Sequence, residues 1–369
     1  MSEVYAARRS RLRERCEAVG SEAALVSGEA NVRYLAGGAP AGAVLLLGPG
    51  ADVLVCGVDP FADVTGAGRP ADDLGVLVLP SPEGDPAVAA AERAVEAGAR
   101  SLALEEHHLT VARHRAVRSV APRARLEDLG TAVEQQRIVK DDEEISHLRI
   151  AAEIADQALG ELLESILVGR TERHLALELE RRLIDHGADA AAFPTSVGAG
   201  PNSGRAGHVP TDRRVEEGDF LSVCLGADYR GYRSEIARTF VIGSSPADWQ
   251  IELYEQVFAA QRAGREALAP GAAYRDVDRA ARVVLEAAGH GERVGPRIGH
   301  GVGLENDEDP RLAPSAMGKL DACVPVTVDP GVHLPGRGGV RIDDTLVVRP
   351  EADGGPELLT ITTKELLAL

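Results

Sequence analysis

A glycine-bounded stretch near the middle of the chain carries residue types suited to chemistry. It reads GDFLSVCLGADYRGYRSEIARTFVIG, with two apolar runs separated by the glycine-bearing turn Ala227–Gly231. Runs of β-branched and aromatic residues on either side of such a turn predict a β-hairpin. Cys224 lies near the end of the first predicted strand and Glu235 near the start of the second. In a hairpin such positions can face each other across the strands.

Three polar residues farther along the chain lie in apolar or glycine-rich surroundings. They are His300 in IGHGVGL, Asp329 in VTVDPG and Asp343 in VRIDDT. Together with Cys224 and Glu235 they supply one thiol, one imidazole and three carboxylates. This donor set could bind a divalent ion or supply general acids and bases. Each residue alone also has a structural explanation, because DP and DD pairs are common in turns.

The composition limits the classes of protein to which the chain can belong. A length of 369 residues predicts two domains, and 44% hydrophobic with 27% charged residues is typical of a globular protein. No apolar run reaches ~20 residues, so no membrane-spanning segment is expected. The net charge of −18 argues against nucleic acid as a partner, because that binding depends on neutralising phosphates. Four scattered cysteines and the lack of a signal-peptide core indicate a cytoplasmic protein.

The predicted elements change character near residue 137. Before it, short apolar strands alternate with helices, which predicts an α/β amino-terminal domain over residues 1–137. That third of the sequence shows no cluster of ionisable residues and no phosphate-binding loop, so a structural or partner-binding role is expected. After it, long amphipathic helices such as Asp141–Leu163 precede a strand-rich end. This pattern predicts an α+β domain over residues 138–369.

The order and spacing of these segments resemble those of the pita-bread metallopeptidases. This family includes methionine aminopeptidase, aminopeptidase P, prolidase and the metal-free creatinase. NVRYLAGG is similar to a motif of the amino-terminal domain of prolidases and creatinases, and GYRSEIARTFVIG, GHGVGL and PGRGGVRIDDT are similar to motifs of the catalytic domain. The resemblance spans nearly the whole chain. It implies an amino-terminal domain of the creatinase/prolidase type, a pita-bread domain after it, and a homodimer.

The resemblance also places the metal-ligand positions, and four of the five hold a different residue type here. The family's two aspartate ligands, eleven residues apart, fall on Cys224 and Glu235. Its two glutamates, fourteen residues apart, fall on Asp329 and Asp343, and its histidine ligand is kept as His300. Each replacement keeps a plausible ligand atom. The resemblance therefore implies that these five residues are candidate metal ligands at a diverged site.

The family's accessory histidines, which orient the scissile carbonyl and handle protons, fall on other residues in this chain. One falls on Gly207, with His208 displaced by a single position, and another falls on Asp307. A third falls on Pro296, whereas His333 stands where the family often has an aromatic residue. These differences argue against ordinary peptide hydrolysis.

These observations together assign roles to ten residues. Catalytic roles are predicted for His300, Glu235, Asp343, Asp329, Cys224, Asp307 and His208. Substrate-binding roles are predicted for Arg238, Arg341 and His333, of which the two arginines would support the carboxylates.

The predicted function is that of a creatinase/prolidase-like enzyme acting on a C–N or related polar bond of a small amino-acid-like substrate. Three alternatives stay open: a non-hydrolytic biosynthetic enzyme in which Cys224 is a nucleophile, a catalytically inactive binding protein, and a metal-dependent Xaa-Pro aminopeptidase or dipeptidase. No cofactor is expected, because shortening a bridging Glu to Asp removes a methylene that two-ion coordination needs. One zinc or manganese ion is the alternative.

Overall fold

The computed structural model describes residues 2–57, 75–81, 84–165 and 167–369. The chain divides into two compact units, Met1–Arg137 and Ile138–Leu369. Within the described ranges, no helix combines the length and apolar character that crossing a membrane requires.

The first unit is built on a six-stranded mixed sheet. Its strands are β1 (Ala23–Val26), β2 (Val44–Leu47), β3 (Asp52–Cys56), β4 (Leu77–Pro80), β5 (Ser101–Leu104) and β6 (Arg125–Asp128), in the order β4-β3-β2-β1-β5-β6. Its described helices are α1 (Ser2–Ala18), α2 (Glu29–Ala36), α3 (Pro86–Glu96), α4 (Val111–Val120) and α5 (Ala132–Arg137). Strands β1 and β2 are buried along their whole length, which is why both are continuous apolar runs.

Helix α3 shows why the alanine-rich segment of the first unit is helical. Asp85 is its N-cap, with a side chain that accepts a hydrogen bond from Ala87 N, and Pro86 occupies the first helical position. Ala87, Ala90, Ala91 and Ala94 are buried. Their spacing places them on one helical face. Small side chains on that face let the helix pack closely in the core of the unit.

The second unit begins with long helices whose start signals are visible in the sequence. Its described helices are α6 (Asp142–Leu163), α7 (Glu172–Asp185), α8 (Asp248–Glu266) and α9 (Tyr274–Ala287). A capping box starts α6, because Asp141 bonds the Glu144 N–H and Glu144 bonds the Asp141 N–H. Thr171 is the N-cap of α7, and its side chain accepts a hydrogen bond from His174 N.

Antiparallel strands form the rest of the second unit. They are β7 (Ala190–Ala191), β8 (Ser196–Ala199), β9 (Phe220–Leu225), β10 (Ala227–Tyr229), β11 (Tyr232–Arg233), β12 (Ile236–Val241), β13 (Gly299–Gly301), β14 (Glu308–Leu312), β15 (Pro325–Val328), β16 (Gly331–Leu334), β17 (Gly338–Arg341), β18 (Asp344–Val347) and β19 (Glu357–Leu358). They form a five-stranded sheet of order β14-β13-β15-β18-β19, two three-stranded sheets of orders β8-β9-β12 and β7-β10-β11, and the two-stranded β16–β17 ribbon.

The predicted central hairpin is present, with a smaller hairpin inserted at its turn. Strands β9 and β12 pair antiparallel, with Cys224 opposite Ala237. Between them β10 and β11 form a second hairpin, whose turn places Arg230 and Gly231 at positive φ. Glu235 consequently lies just before β12 instead of within it, although its side chain still approaches Cys224.

Candidate active site

Strands of the three-stranded β8-β9-β12 sheet and of the five-stranded sheet bring the five candidate ligands together. Cys224 lies on β9, Glu235 immediately before β12, His300 on β13, Asp329 after β15 and Asp343 between β17 and β18. Strand β15 pairs with both β13 and β18, and an isolated bridge joins Ala237 to Asp343. Residues spread over more than a hundred positions therefore meet because their strands are neighbours.

The glycines on either side of His300 are required by close packing of the backbone. A Cβ at Gly299 would meet the Thr327 carbonyl, and one at Gly301 would meet the Asp309 carbonyl. His300 Nδ1 lies 3.0 Å from the Gly301 carbonyl oxygen. Because that oxygen can only accept, Nδ1 carries a proton and donates it, which directs Nε2 toward the carboxylates.

The side-chain distances define one compact polar cluster. Cys224 Sγ lies 3.6 Å from Glu235 Oε1, and His300 Nε2 lies 3.3 Å from Glu235 Oε2 and 4.0 Å from Asp329 Oδ2. Cys224, Glu235 and Asp343 each offer one ligand atom within 4.8 Å of the other two. The five residues predicted to be ligands are thus brought together.

Arg341 lies among the three carboxylates of this cluster. Its Nη2 is 2.7 Å from Glu235 Oε1 and 3.5 Å from Asp329 Oδ2, and its Nε is 2.7 Å from Asp343 Oδ2. The guanidinium therefore contacts one oxygen of each carboxylate. Among the described residues, Asp329 Oδ1 and Asp343 Oδ1 have no hydrogen-bond partner, whereas Glu235 Oε2 lies 3.3 Å from His300 Nε2.

The charges of Glu235 and His300 are mutually stabilised. Burial alone would raise the pKa of Glu235, but the hydrogen bond from His300 and the charge of Arg341 outweigh it and lower the pKa to about 2. Burial would likewise lower the pKa of His300, but bonding to Glu235 raises it to about 9. An imidazolium and a carboxylate in contact account for both directions.

Burial favours the neutral forms of Asp329, Asp343 and Cys224. Burial raises the pKa of Asp329, and it raises the pKa of Asp343 well above its usual range despite the nearby Arg341. Burial also raises the pKa of the Cys224 thiol well above its usual range, with the neighbouring carboxylates adding to the effect. A thiol in this environment is protonated at neutral pH, which argues against Cys224 as a nucleophile.

Arg238 lies elsewhere, which differs from the expectation that it supports these carboxylates and binds substrate. The guanidinium is fully buried, with Nη2 2.7 Å from Asp344 Oδ1 and Nη1 2.7 Å from the Asp343 carbonyl oxygen. Consecutive residues at a strand point to opposite faces. Asp343 therefore faces the cluster and Asp344 faces Arg238, which makes the Arg238–Asp344 pair part of the core.

Comparison with known proteins identifies the family. Residues 146–350 match metallopeptidase family M24, and residues 8–139 match the creatinase/prolidase N-terminal domain. The chain belongs to metallopeptidase family M24. This result confirms the predicted fold, a creatinase-type amino-terminal domain followed by a pita-bread domain, and it confirms an enzyme of the hydrolase type.

Individual M24 relatives are similar over much of the chain. An Xaa-Pro dipeptidase of Pyrococcus furiosus is 38% identical over 235 residues, which cover 64% of this chain and 66%, just under two thirds, of that protein. An uncharacterized peptidase of Bacillus subtilis is 35% identical over 272 residues, covering 74% and 76%. A solved Xaa-Pro dipeptidase from Bacillus anthracis has a TM-score of 0.91 at 32% identity, covering 99% of this chain and 100% of that one.

The donor set of this M24 site fits a divalent cation. One imidazole, three carboxylates and one thiol are ligand types of zinc, and the thiol disfavours harder ions. Asp329 Oδ1 and Asp343 Oδ1 are buried and have no hydrogen bonds to the described residues, which is costly unless they have a partner. A cation would supply that partner. The expectation of a metal-free site is therefore disfavoured.

His208 contacts Glu172 instead of a candidate ligand. His208 Nε2 lies 2.8 Å from Glu172 Oε2, in a buried network that includes the Thr211 hydroxyl and the Ala199 N–H. This contact differs from the predicted proton-transfer role, because it ties the imidazole to a structural carboxylate.

Asp307 pairs with an arginine instead of contacting the candidate ligands directly. Its Oδ2 is 2.7 Å from Arg297 Nη2, and the Asp307 side chain is 38% exposed. The positive charge of Arg297 also helps to lower the pKa of Asp329 against the effect of burial.

His333 shares a face of the β16–β17 ribbon with Arg341. His333 is opposite Gly339, and Gly331 is opposite Arg341, so both side chains leave the same side of the ribbon. Its Nδ1 lies 3.1 Å from the Ser203 carbonyl oxygen, and burial lowers its pKa. His333 is thus a largely neutral imidazole beside the cluster, a placement compatible with the predicted substrate contact.

Thr345 is a functional residue that sequence reasoning missed. Its hydroxyl donates to the Glu235 carbonyl oxygen at 2.8 Å and accepts from the Glu235 N–H at 3.0 Å. These two bonds hold the Glu235 backbone beside β18. The only sequence signal for Thr345 is its position directly after the DD pair. That position does not indicate a contact with Glu235, which depends on how the strands pair.

Proposed function

We propose that this protein is a metal-dependent hydrolase of small peptides, with Xaa-Pro dipeptides as its substrate class. The observation that carries the proposal is the buried cluster around Arg341, in which one oxygen of Asp329 and one oxygen of Asp343 have no hydrogen bond from the described residues. The similarity to Xaa-Pro dipeptidases at 32–38% identity supports the choice of substrate.

Glu235, His300, Asp329 and Asp343 would hold the cation, with Cys224 as a further ligand. A bound divalent ion would supply Lewis acidity and lower the pKa of water. Arg341 remains charged at every physiological pH, so it keeps the carboxylates close together and limits their mutual repulsion. The hydrogen bond from His300 Nδ1 to the Gly301 carbonyl fixes the ring so that Nε2 serves the site.

A metal-free hydrolase acting on another C–N bond is the second candidate. The observation that favours it is the position of Arg341, whose positive charge already lies among Glu235, Asp329 and Asp343. The known relatives give no support for a preference away from Xaa-Pro substrates. Metal dependence separates the two candidates.

The protein should release free proline from Xaa-Pro dipeptides, and chelation should reduce that rate to near background. The physical reason is that the carboxylate oxygens without a partner would lose the cation that activates water. Proline release is measured for protein as purified, after chelation, and after addition of Zn²⁺, Mn²⁺ or Co²⁺, with Xaa-Ala dipeptides as the matched substrate control. A rate unaffected by chelation would favour the metal-free candidate. No proline release with any of these ions would contradict the proposed substrate.

A homodimer is proposed from the resemblance to two-domain members of the family. Sedimentation velocity of the full chain should give a species of twice the chain mass at micromolar concentration. A monomer throughout the concentration range would contradict the dimer without affecting the proposed chemistry.

A further inference from the structure

A second group of metal-ligating side chains lies in the first unit. His107 and His108 follow β5 in a turn, and Glu134 lies on α5. His107 Nε2 is 2.9 Å and His108 Nε2 is 3.5 Å from Glu134 Oε1. The three residues each offer one ligand atom within 4.8 Å of the other two. The sequence predicted no ionisable cluster in this part of the chain, because His107 and Glu134 are 27 residues apart and only the fold brings them together.

The carboxylate of Glu134 is held in place and has unused acceptor capacity. Buried Asn31 donates from Nδ2 to Glu134 Oε1 at 2.7 Å and to Glu105 Oε1 at 2.7 Å. Arg137 Nη1 in turn donates to Asn31 Oδ1 at 2.6 Å, which fixes the amide. Glu134 Oε2 is buried and has no hydrogen-bond partner among the described residues. In metal sites, hydrogen bonds from residues that do not bind the ion commonly orient the ligating group in this way.

We propose that His107, His108 and Glu134 form a divalent-cation site separate from the peptidase centre, selective for Zn²⁺ and similar borderline ions. Two imidazoles and one carboxylate are a common zinc donor set. A tetrahedral ion with bonds of about 2.0–2.1 Å separates its ligand atoms by roughly 3.3 Å. The observed separations of 2.9 and 3.5 Å bracket that value. About a third of each histidine side chain is exposed, so an ion has access and a remaining position is open to water.

A nearby pair provides a comparison: His114 Nε2 lies 3.7 Å from Glu106 Oε1, with one imidazole instead of two. His114 is thus a matched control for a histidine that contacts a carboxylate outside the proposed site.

The test is metal stoichiometry of the untagged full chain, titrated with Co²⁺ by visible absorption and with Zn²⁺ by calorimetry. The wild type, an H107A/H108A variant and an H114A variant are each measured with His300 intact and with His300→Ala. We expect H107A/H108A to bind about one molar equivalent less than wild type in both backgrounds, whereas H114A binds as much as wild type. Because proline release plays no part in this readout, failure of the proposed peptidase activity would leave the result unchanged.

Glu134→Gln provides a second variant, since it keeps the shape of the side chain and an acceptor for Asn31. The Kd for Zn²⁺ at this site should rise at least tenfold, because an amide is a much weaker ligand than a carboxylate. Equal stoichiometry and equal Kd in wild type, H107A/H108A and Glu134→Gln would overturn the proposal and leave the contacts as simple ion pairs. The proposal would also be overturned if His300→Ala reduced the metal stoichiometry and H107A/H108A did not.

Discussion

Replacing Glu235 with glutamine should lower the rate of Xaa-Pro hydrolysis by roughly 10²-fold or more. Glu235 contacts the Cys224 thiol, the His300 imidazole and the Arg341 guanidinium, so it links three other members of the cluster. The substitution preserves the shape of the side chain but removes its charge and one oxygen. An amide can neither ligate a cation as strongly as a carboxylate nor balance Arg341. The measurement is kcat/KM for proline release.

The loss should be similar between about pH 5 and 8, because the pKa of Glu235 is lowered to about 2 and the wild-type residue is ionised throughout that interval. Glu357→Gln is the matched control, since Glu357 is a partly exposed carboxylate paired with Arg149 and Arg349. That variant should retain wild-type kcat/KM. A Glu235→Gln variant with less than a few-fold loss would show that Glu235 neither binds the ion nor takes part in proton transfer.

The sequence predicts that the five candidate ligands lie close together, because they are placed in or beside strands that pair. The hairpin pattern places Cys224 and Glu235 together, and the glycines on either side of His300 are typical of a strand whose backbone packs closely against its neighbours. The resemblance to a family then selects Asp329 and Asp343 from many similar DP and DD pairs. These predictions depend on local pattern and order along the chain, and both are properties of the sequence itself.

The contacts between side chains distant in sequence could not be predicted in the same way. Arg341 is expected from the sequence to support the carboxylates, but its contact with three of them depends on β17 lying beside β12, which no local pattern shows. His208 is adjacent to the position of a family histidine, yet Glu172 binds it. The His107 and Glu134 contact requires α5 to pack near the turn after β5. Each case depends on tertiary packing.

Asp343 and Asp344 are neighbours in sequence, but the first lies in the candidate site and the second in a core ion pair. The two aspartates are indistinguishable by type, and both are completely buried. Alternation along the strand sends the first toward Arg341 and the second toward Arg238. Burial raises the pKa of Asp343 and would also raise that of Asp344, but the charges of Arg238 and Lys364 outweigh burial and lower the pKa of Asp344. The second residue therefore remains charged inside the core and depends on its partners.

Replacing Arg238 with methionine should reduce the free energy of unfolding of the second unit by about 3–5 kcal/mol. The change leaves Asp344 with Lys364, Gln261 and Thr360 as side-chain partners, and it removes the hydrogen bonds that Arg238 donates to buried carbonyls such as that of Asp343. Urea unfolding is followed by fluorescence of Trp249, which is the single tryptophan of the chain and lies in this unit. Because Trp249 packs edge-on against Phe220, its emission should report loss of this core.

Arg262→Met is the matched control, since Arg262 pairs with Glu266 one turn away on α8 and both side chains are mostly exposed. An exposed pair of this kind contributes about 0–1 kcal/mol, so the control should unfold close to wild type.

The pH dependence of the free energy of unfolding gives a further check. Because folding lowers the pKa of Asp344, its ionised form stabilises the folded state at pH values above the ordinary pKa of an aspartate. That stabilisation is lost as the pH falls through the lowered pKa. Arg238→Met should therefore lose stability at neutral pH and show a smaller further loss on acidification. If instead it unfolds like wild type and only KM for the peptide rises, Arg238 contacts substrate, as the sequence predicts, and its assignment to the core is wrong.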